Sequence, residues 1–130
     1  MRDILFRGKR LDNGEWVDGN LFAPDKVSRM DAPTEILVGT NIVRISYEVD
    51  PATVGQYTGL MDMAGRRIFE GDLVSKNGKR MFVVEYSSDI ASFMAYPMDD
   101  GLSTPCMNTG TMRDYQIVGN IHDSHDLMEG

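Results

Sequence analysis

His122 and His125 are a pair whose type and spacing could do chemistry. Three positions apart on a helix, they would share one face, as two imidazole ligands of a metal ion must, with Asp123 and Asp126 close by. A structural zinc site takes four ligands, and the chain's single cysteine, Cys106, is far away in sequence. The pair therefore reads as solvated polar residues, and no metal or cofactor is expected. Cys106 lies in Ser103-Thr104-Pro105-Cys106-Met107, with no histidine or cation beside it to generate a thiolate. Glu70, Asp72 and Glu85 could pair as hydrolytic carboxylates, but with 20 acidic residues in 130 such pairs arise by chance. Glu70-Gly71-Asp72 reads better as the shape of a strand's beginning. The glycines nearby are not followed by Lys-Ser/Thr, and no strand-then-helix pattern surrounds them, so no phosphate loop is expected. No nucleophile, base and orienting group come together, and the chain does not read as an enzyme.

A local reversal of charge is more telling. The chain is acidic, with 13 basic against 20 acidic residues and a formal net charge of −7. Nucleic acid and anionic lipid repel such a chain on average. Yet Arg66, Arg67, Lys76, Lys79 and Arg80 gather around one turn-rich stretch, offset only in part by Asp62, Glu70 and Asp72. Basic residues interleaved with aromatics are what single-stranded nucleic acid needs for phosphate contact and base stacking. Tyr57, Phe69 and Phe82 are the candidate stackers, although Phe69 and Phe82 also suit a core. The competing reading is a hairpin tip whose cations discourage edge pairing. Ten methionines are many for this length, and Met94, Met98, Met107 and Met112 recur in the C-terminal third. Their flexible thioethers suit either core gaps or an adaptable binding surface.

The elements that must position these residues are strands. Asn13-Gly14, Asp18-Gly19, Asn77-Gly78, Asp99-Asp100-Gly101 and Gly119-Asn120 cut the chain into short segments, and no long helical period survives between them. Ile4 to Arg7 and Glu15 to Phe22 read as strands joined near Asn13-Gly14. Pro24 to Pro33 reads as a loop. Glu35 to Val38 and Ile42 to Tyr47 form a hairpin around Gly39-Thr40-Asn41. Asp50-Pro51-Ala52-Thr53 carries the signal for one helical turn, with Asp50 as cap and Pro51 first inside. Leu73 to Lys76 and Lys79 to Tyr86 flank Asn77-Gly78, the pair a two-residue type I′ turn prefers. Ala91 to Tyr96 adds a third strand to that meander, Met112 to Val118 reads as a last strand, and Asp123 to Met128 as a short helix. The chain is mainly β and, at this length, one domain over residues 1–130.

No apolar run approaches the roughly 20 residues that span a bilayer, and the first residues lack a signal-peptide pattern. A cytoplasmic location is expected. With one cysteine no intrachain disulfide forms.

The stretch Gln56 to Val74, with its Asp62-x-x-Gly65 turn and Gly71-Asp72 before an apolar run, closely resembles the central signature of the YopX family. These are small proteins encoded by bacteriophages and prophages. Met1 to Gly8, Gly14 to Gly19, Val83 to Tyr86 and Val118 to Asp123 resemble that family in the same order, so the likeness covers about the whole chain. Ala23 to Val43 and Asp99 to Thr111 are less recognisable. The resemblance implies a small, partly open antiparallel barrel with short helical caps, including a short C-terminal helix. It brings no catalytic residues. The expected role is a phage or prophage accessory protein that works by binding another protein or copies of itself, as a homo-oligomer. The alternative is a nucleic-acid-binding module using Arg66 to Arg80. A third reading, an acidic decoy of nucleic acid, lacks an organised stripe of acids.

Overall fold

The computed structural model describes residues 4–23, 33–39, 43–76, 78, 80–98 and 112–124. Among these residues lie the strands β1 (Phe6–Lys9), β2 (Trp16–Phe22), β3 (Glu35–Gly39), β4 (Arg44–Glu48), β5 (Gly55–Met61), β6 (Arg67–Phe69), β7 (Asp72–Lys76), β8 (Arg80–Ser87), β9 (Ser92–Pro97) and β10 (Gln116–Asn120). Their order is β4-β3-β2-β1-β5-β6 in one sheet and β10-β7-β8-β9 in the other. The chain is mainly β, as its turn spacing indicates. It falls into two compact units, Met1–Tyr57 and Thr58–Gly130, and β5 begins in the first and ends in the second.

In the first unit β1 to β4 form an antiparallel meander. The period of two sends Gly8, Ile36 and Val49 inward, where all three are buried, while Arg7, Lys9, Trp16 and Asp18 share the opposite face. Gly14, at φ +73°, closes the β1–β2 turn by donating to Arg10 O at 2.9 Å. Gly19 is needed for another reason: a Cβ there would run into the Leu37 carbonyl oxygen of the neighbouring strand. Beyond β4 the chain returns to the end of β1. Leu11 N–H donates to Glu48 O at 3.0 Å, Asp50 N–H donates to Lys9 O at 2.9 Å, and Arg10 bridges Val49. The sheet thus curls back on itself at one end without closing along its length, so the described strands form no closed barrel. The expected helical turn follows at Pro51–Thr53, a 3₁₀ turn capped by Asp50, whose carboxylate accepts from Ala52 N–H at 3.0 Å. Thr53 Oγ1 accepts from Lys9 N–H at 2.9 Å and ties this turn to β1.

In the second unit Ile68, Val74, Phe82, Val84, Ala95, Met112 and Tyr115 form the core, with Leu60 and Ile117 packed against it. Phe82 and Tyr115 meet edge to face, with centroids 5.6 Å apart. Burying each of the large aliphatic residues contributes about 1.5–3 kcal/mol. Strand β7 lies between β10 and β8, and its successive residues Leu73, Val74 and Ser75 are buried on both of its faces.

Several expectations need correction. The β7–β8 register pairs Lys76 with Arg80, so three residues separate the strands, not the two of an Asn77-Gly78 type I′ turn. The last strand starts at Gln116 and not Met112, because Met112 to Tyr115 makes a turn in which Tyr115 N–H donates to Met112 O at 3.1 Å. Strands β5 and β6, within the signature, are not among the expected strands, although Tyr57-Thr58 and Ile68-Phe69 are types that strands favour. Pro24 to Ala32 of the expected loop, the Thr40-Asn41 turn and most of the expected C-terminal helix lie outside the described residues.

Candidate interaction surfaces

Two of the signature's acids, Asp62 and Asp72, are engaged by backbone N–H donors. Asp62, 5 % exposed, ends β5 and heads the turn that Gly65 N–H closes on Asp62 O at 3.0 Å. Gly65, at φ +79°, supplies the left-handed conformation this turn requires. Asp62 Oδ1 accepts from Ala64 N–H and Arg66 N–H, each at 2.9 Å. Its Oδ2 accepts from Arg66 Nε at 3.1 Å and from Ile117 N–H at 3.0 Å. Arg66 also donates to Ile117 O at 2.9 Å. Burial alone would push this carboxyl's pKa up, but the donors from Ile117, Arg66 and Ala64 outweigh it and hold the group below its usual 3.8. Asp72 acts in the same way at the next corner: its carboxylate accepts from Phe69 N–H at 2.8 Å and fixes the β6–β7 connection. This matches the expectation that Glu70-Gly71-Asp72 shapes the start of a strand.

The five cations expected to gather do so only in part. Arg66 is committed to Asp62 and Ile117, although its side chain stays 50 % exposed. Arg67 is exposed on β6. Lys76 and Arg80 sit directly opposite each other at the end of the β7–β8 pair, and the Arg80 guanidinium lies 5.9 Å from the Phe82 ring centre. Lys79 lies outside the described residues. The aromatics expected to stack on bases are not available: Tyr57, Phe69 and Phe82 are all buried. Of the methionines singled out, Met112 is a fully buried core residue, Met94 and Met98 are half-buried, and Met107 is outside the described residues.

Sequence reasoning missed a cation–aromatic cluster in the first unit. Arg7 lies 4.5 Å and Lys9 5.8 Å from the centre of the Trp16 ring. The signal is present in the Arg7-x-Lys9 alternation, but only the β1–β2 register, which sets Lys9 opposite Trp16, brings it together. Arg10 stacks on Tyr47 at 4.4 Å and chelates Asp12 with Nε at 2.9 Å and a terminal nitrogen at 2.5 Å. A shallow cavity of about 360 Å³ opens beside them, lined by Arg10, Leu11, Asp12, Ser46, Tyr47 and Glu48. It marks where β4 departs from the Leu11 segment.

Apolar side chains reach solvent in both units. In the second they include Met61 (49 % exposed), Met63 (62 %) and Val118 (38 %), and also Tyr86 and Ile90 at the β8–β9 end. Met63 N–H donates to Tyr115 O at 2.8 Å, and Asp62 and Arg66 both bond Ile117, so the turn and β10 are neighbours. In the first unit Val38, Val43 and Ile45 are exposed along β3 and β4. His125 and Cys106 lie outside the described residues, and among the described residues no three acidic, histidine or cysteine side chains cluster as metal ligands would. Among the described residues, too, no helix is long and apolar enough to cross a membrane.

An all-β chain of two antiparallel sheets, pinned by a buried aspartate in a glycine-rich turn, is the class of protein these features define. The model of the family described as "YopX protein" matches residues 5–129, and the chain belongs to that family. No curated protein matches it. Among solved structures, the crystal structure of protein EF1440 from Enterococcus faecalis aligns with a TM-score of 0.60 over 98% of this chain and 99% of that one. The two share 19% sequence identity, and the likeness is one of fold.

Proposed function

We propose that this YopX-family chain is a non-catalytic interaction module that binds a partner protein through the surface around its signature turn. The observation that carries the reading is the exposure of Met61 and Met63, at 49 % and 62 %, on either side of an aspartate whose carboxylate is fully engaged inside. The solvent side carries two adaptable thioethers, with Val118 and the exposed Arg67. That mixture suits an acidic, apolar segment of another protein. A phage or prophage accessory role in the bacterial cytoplasm fits the setting of the family. Affinity capture from host cells, with and without nuclease, tests the reading. A protein recovered after nuclease treatment and lost on Met61→Glu/Met63→Glu supports it. Equal recovery by that variant overturns it.

A second reading, nucleic-acid binding, draws on Lys76 and Arg80 facing each other, since like charges directly opposite repel unless an anion lies between them. Binding to single-stranded DNA that weakens steeply with salt, and disappears in Lys76→Glu/Arg80→Glu, supports it. A flat salt response rejects it.

A further inference from the structure

We infer that the free edge of β4 pairs with β4 of a second copy, antiparallel and centred on Ile45. The inference deepens the interaction-module reading, on which it rests, by naming one partner and its register. Among the described strands β4 is the last of its sheet, paired with β3 along Arg44–Glu48 and met on its outer side at Glu48 by Leu11. Which of its backbone groups face outward follows from two hydrogen bonds. Val49 N–H donates to Thr34 O at 3.0 Å, and alternation along the pair then turns the groups of Tyr47 and Ile45 toward β3. Those of Glu48, Ser46 and Arg44 turn away. Leu11 confirms this by reaching Glu48 O from the outer side at 3.0 Å. Arg44 and Ser46 therefore present donors and acceptors that no described strand takes up.

The chain's own residues select the register. Outward groups pair only with outward groups, so the symmetry axis of such a pairing passes through a residue and not between two. Centring on Arg44 would set Arg44 against its own copy, a like-charge opposition. Centring on Ser46 would place Arg44 of the second copy opposite Glu48, a slot that Leu11 already fills. Centring on Ile45 avoids both. Arg44 then exchanges hydrogen bonds with Ser46 of the second copy, and the axis repeats that pair. Ile45 meets Ile45 of the second copy, and Val43 meets its Tyr47. Ile45 and Val43 are 56 % and 67 % exposed, with Val38, opposite Ile45 on β3, at 37 %, so the pairing covers apolar area that is otherwise wet. The exposed Arg44 of each copy comes diagonal to the exposed Glu48 of the other, within reach of long side chains and opposite in charge. The edge is short, so the affinity belongs to the weaker, micromolar class.

Light scattering across a concentration series, with a symmetric cross-link, tests the pairing. The wild-type chain is expected to approach twice its monomer mass as concentration rises, and Ile45→Lys to weaken association about tenfold or more. Because Ile45 is exposed, its circular dichroism and thermal melt should match the wild type. In a Cys106→Ser background, Ile45→Cys is expected to oxidise to a disulfide-linked dimer, while Val38→Cys, one strand inside the edge, does not. A monomer at all concentrations, or a dimer indifferent to Ile45→Lys, overturns the pairing. Neither result touches the Met61/Met63 surface, which the capture experiment judges separately.

Discussion

The backbone N–H of Ile117 donates to Asp62 Oδ2 at 3.0 Å, joining residues 55 positions apart through one carboxylate that also anchors Ala64 and Arg66. The turn and the returning strand β10 therefore hold each other in place. Asp62→Asn keeps the shape but turns an amide N–H₂ toward donors and removes the charge that pairs with Arg66. It is expected to cost about 2–4 kcal/mol, read by urea denaturation. A loss below about 0.5 kcal/mol would show that the carboxylate is not what holds β10.

The same carboxylate sets an acid limit. Its folded-state pKa lies below the usual 3.8, despite burial, because the donors from Ile117, Arg66 and Ala64 favour the charged form. A depressed folded value means that the stabilisation is fully present above the unfolded pKa and is lost as pH falls through the folded one. Stability measured from neutral pH downward should decline once pH drops below about 4. Asp62→Asn should flatten that decline. An unchanged acid limb in the variant would assign acid sensitivity to other carboxylates.

Ala91 closes the β8–β9 hairpin at φ +52°, a left-handed conformation that costs an L-residue about 1–2 kcal/mol. Ala91→Gly is therefore expected to raise the stability by about 1 kcal/mol, after allowing for glycine's greater freedom in the unfolded chain. A lower melting temperature for this variant would contradict the assignment.

Gly19 answers to contact, not to torsion. A methyl group there meets the Leu37 carbonyl oxygen, which belongs to a paired strand and cannot swing aside as a side chain could. Gly19→Ala should destabilise the first unit by about 2–3 kcal/mol, whereas Gly14→Ala, with open space around it, should cost only about 1–2 kcal/mol for its positive φ. Equal losses in the two variants would refute the steric argument.

Local signals make much of this fold legible. Asp50-Pro51 announces its 3₁₀ turn because cap and proline act within a few residues, and the β-branched and aromatic run of β8 declares itself a strand. Strands β5 and β6 stay hidden because Gly59 interrupts the first and the second is three residues long, so the strand-favouring Tyr57, Thr58, Ile68 and Phe69 form no readable run. The signature's acid Asp72 reads from sequence as a backbone-shaping residue, but only the structure shows that Ile117 is the residue Asp62 serves. Tyr57 reads as available for stacking because exposure depends on neighbours distant in sequence. The Arg7, Lys9 and Trp16 cluster escapes notice for the same reason: it exists only once a register sets Lys9 opposite Trp16.

That cluster also gives the protein an optical asymmetry. Trp16 is its sole tryptophan, and it belongs to the first unit with Arg7 stacked at 4.5 Å. Indole emission thus reports on the Met1–Tyr57 unit alone, while far-ultraviolet dichroism follows the strands of both units. Followed together through a denaturant gradient, the two colours of signal distinguish a molecule that melts in one step from one that melts by halves.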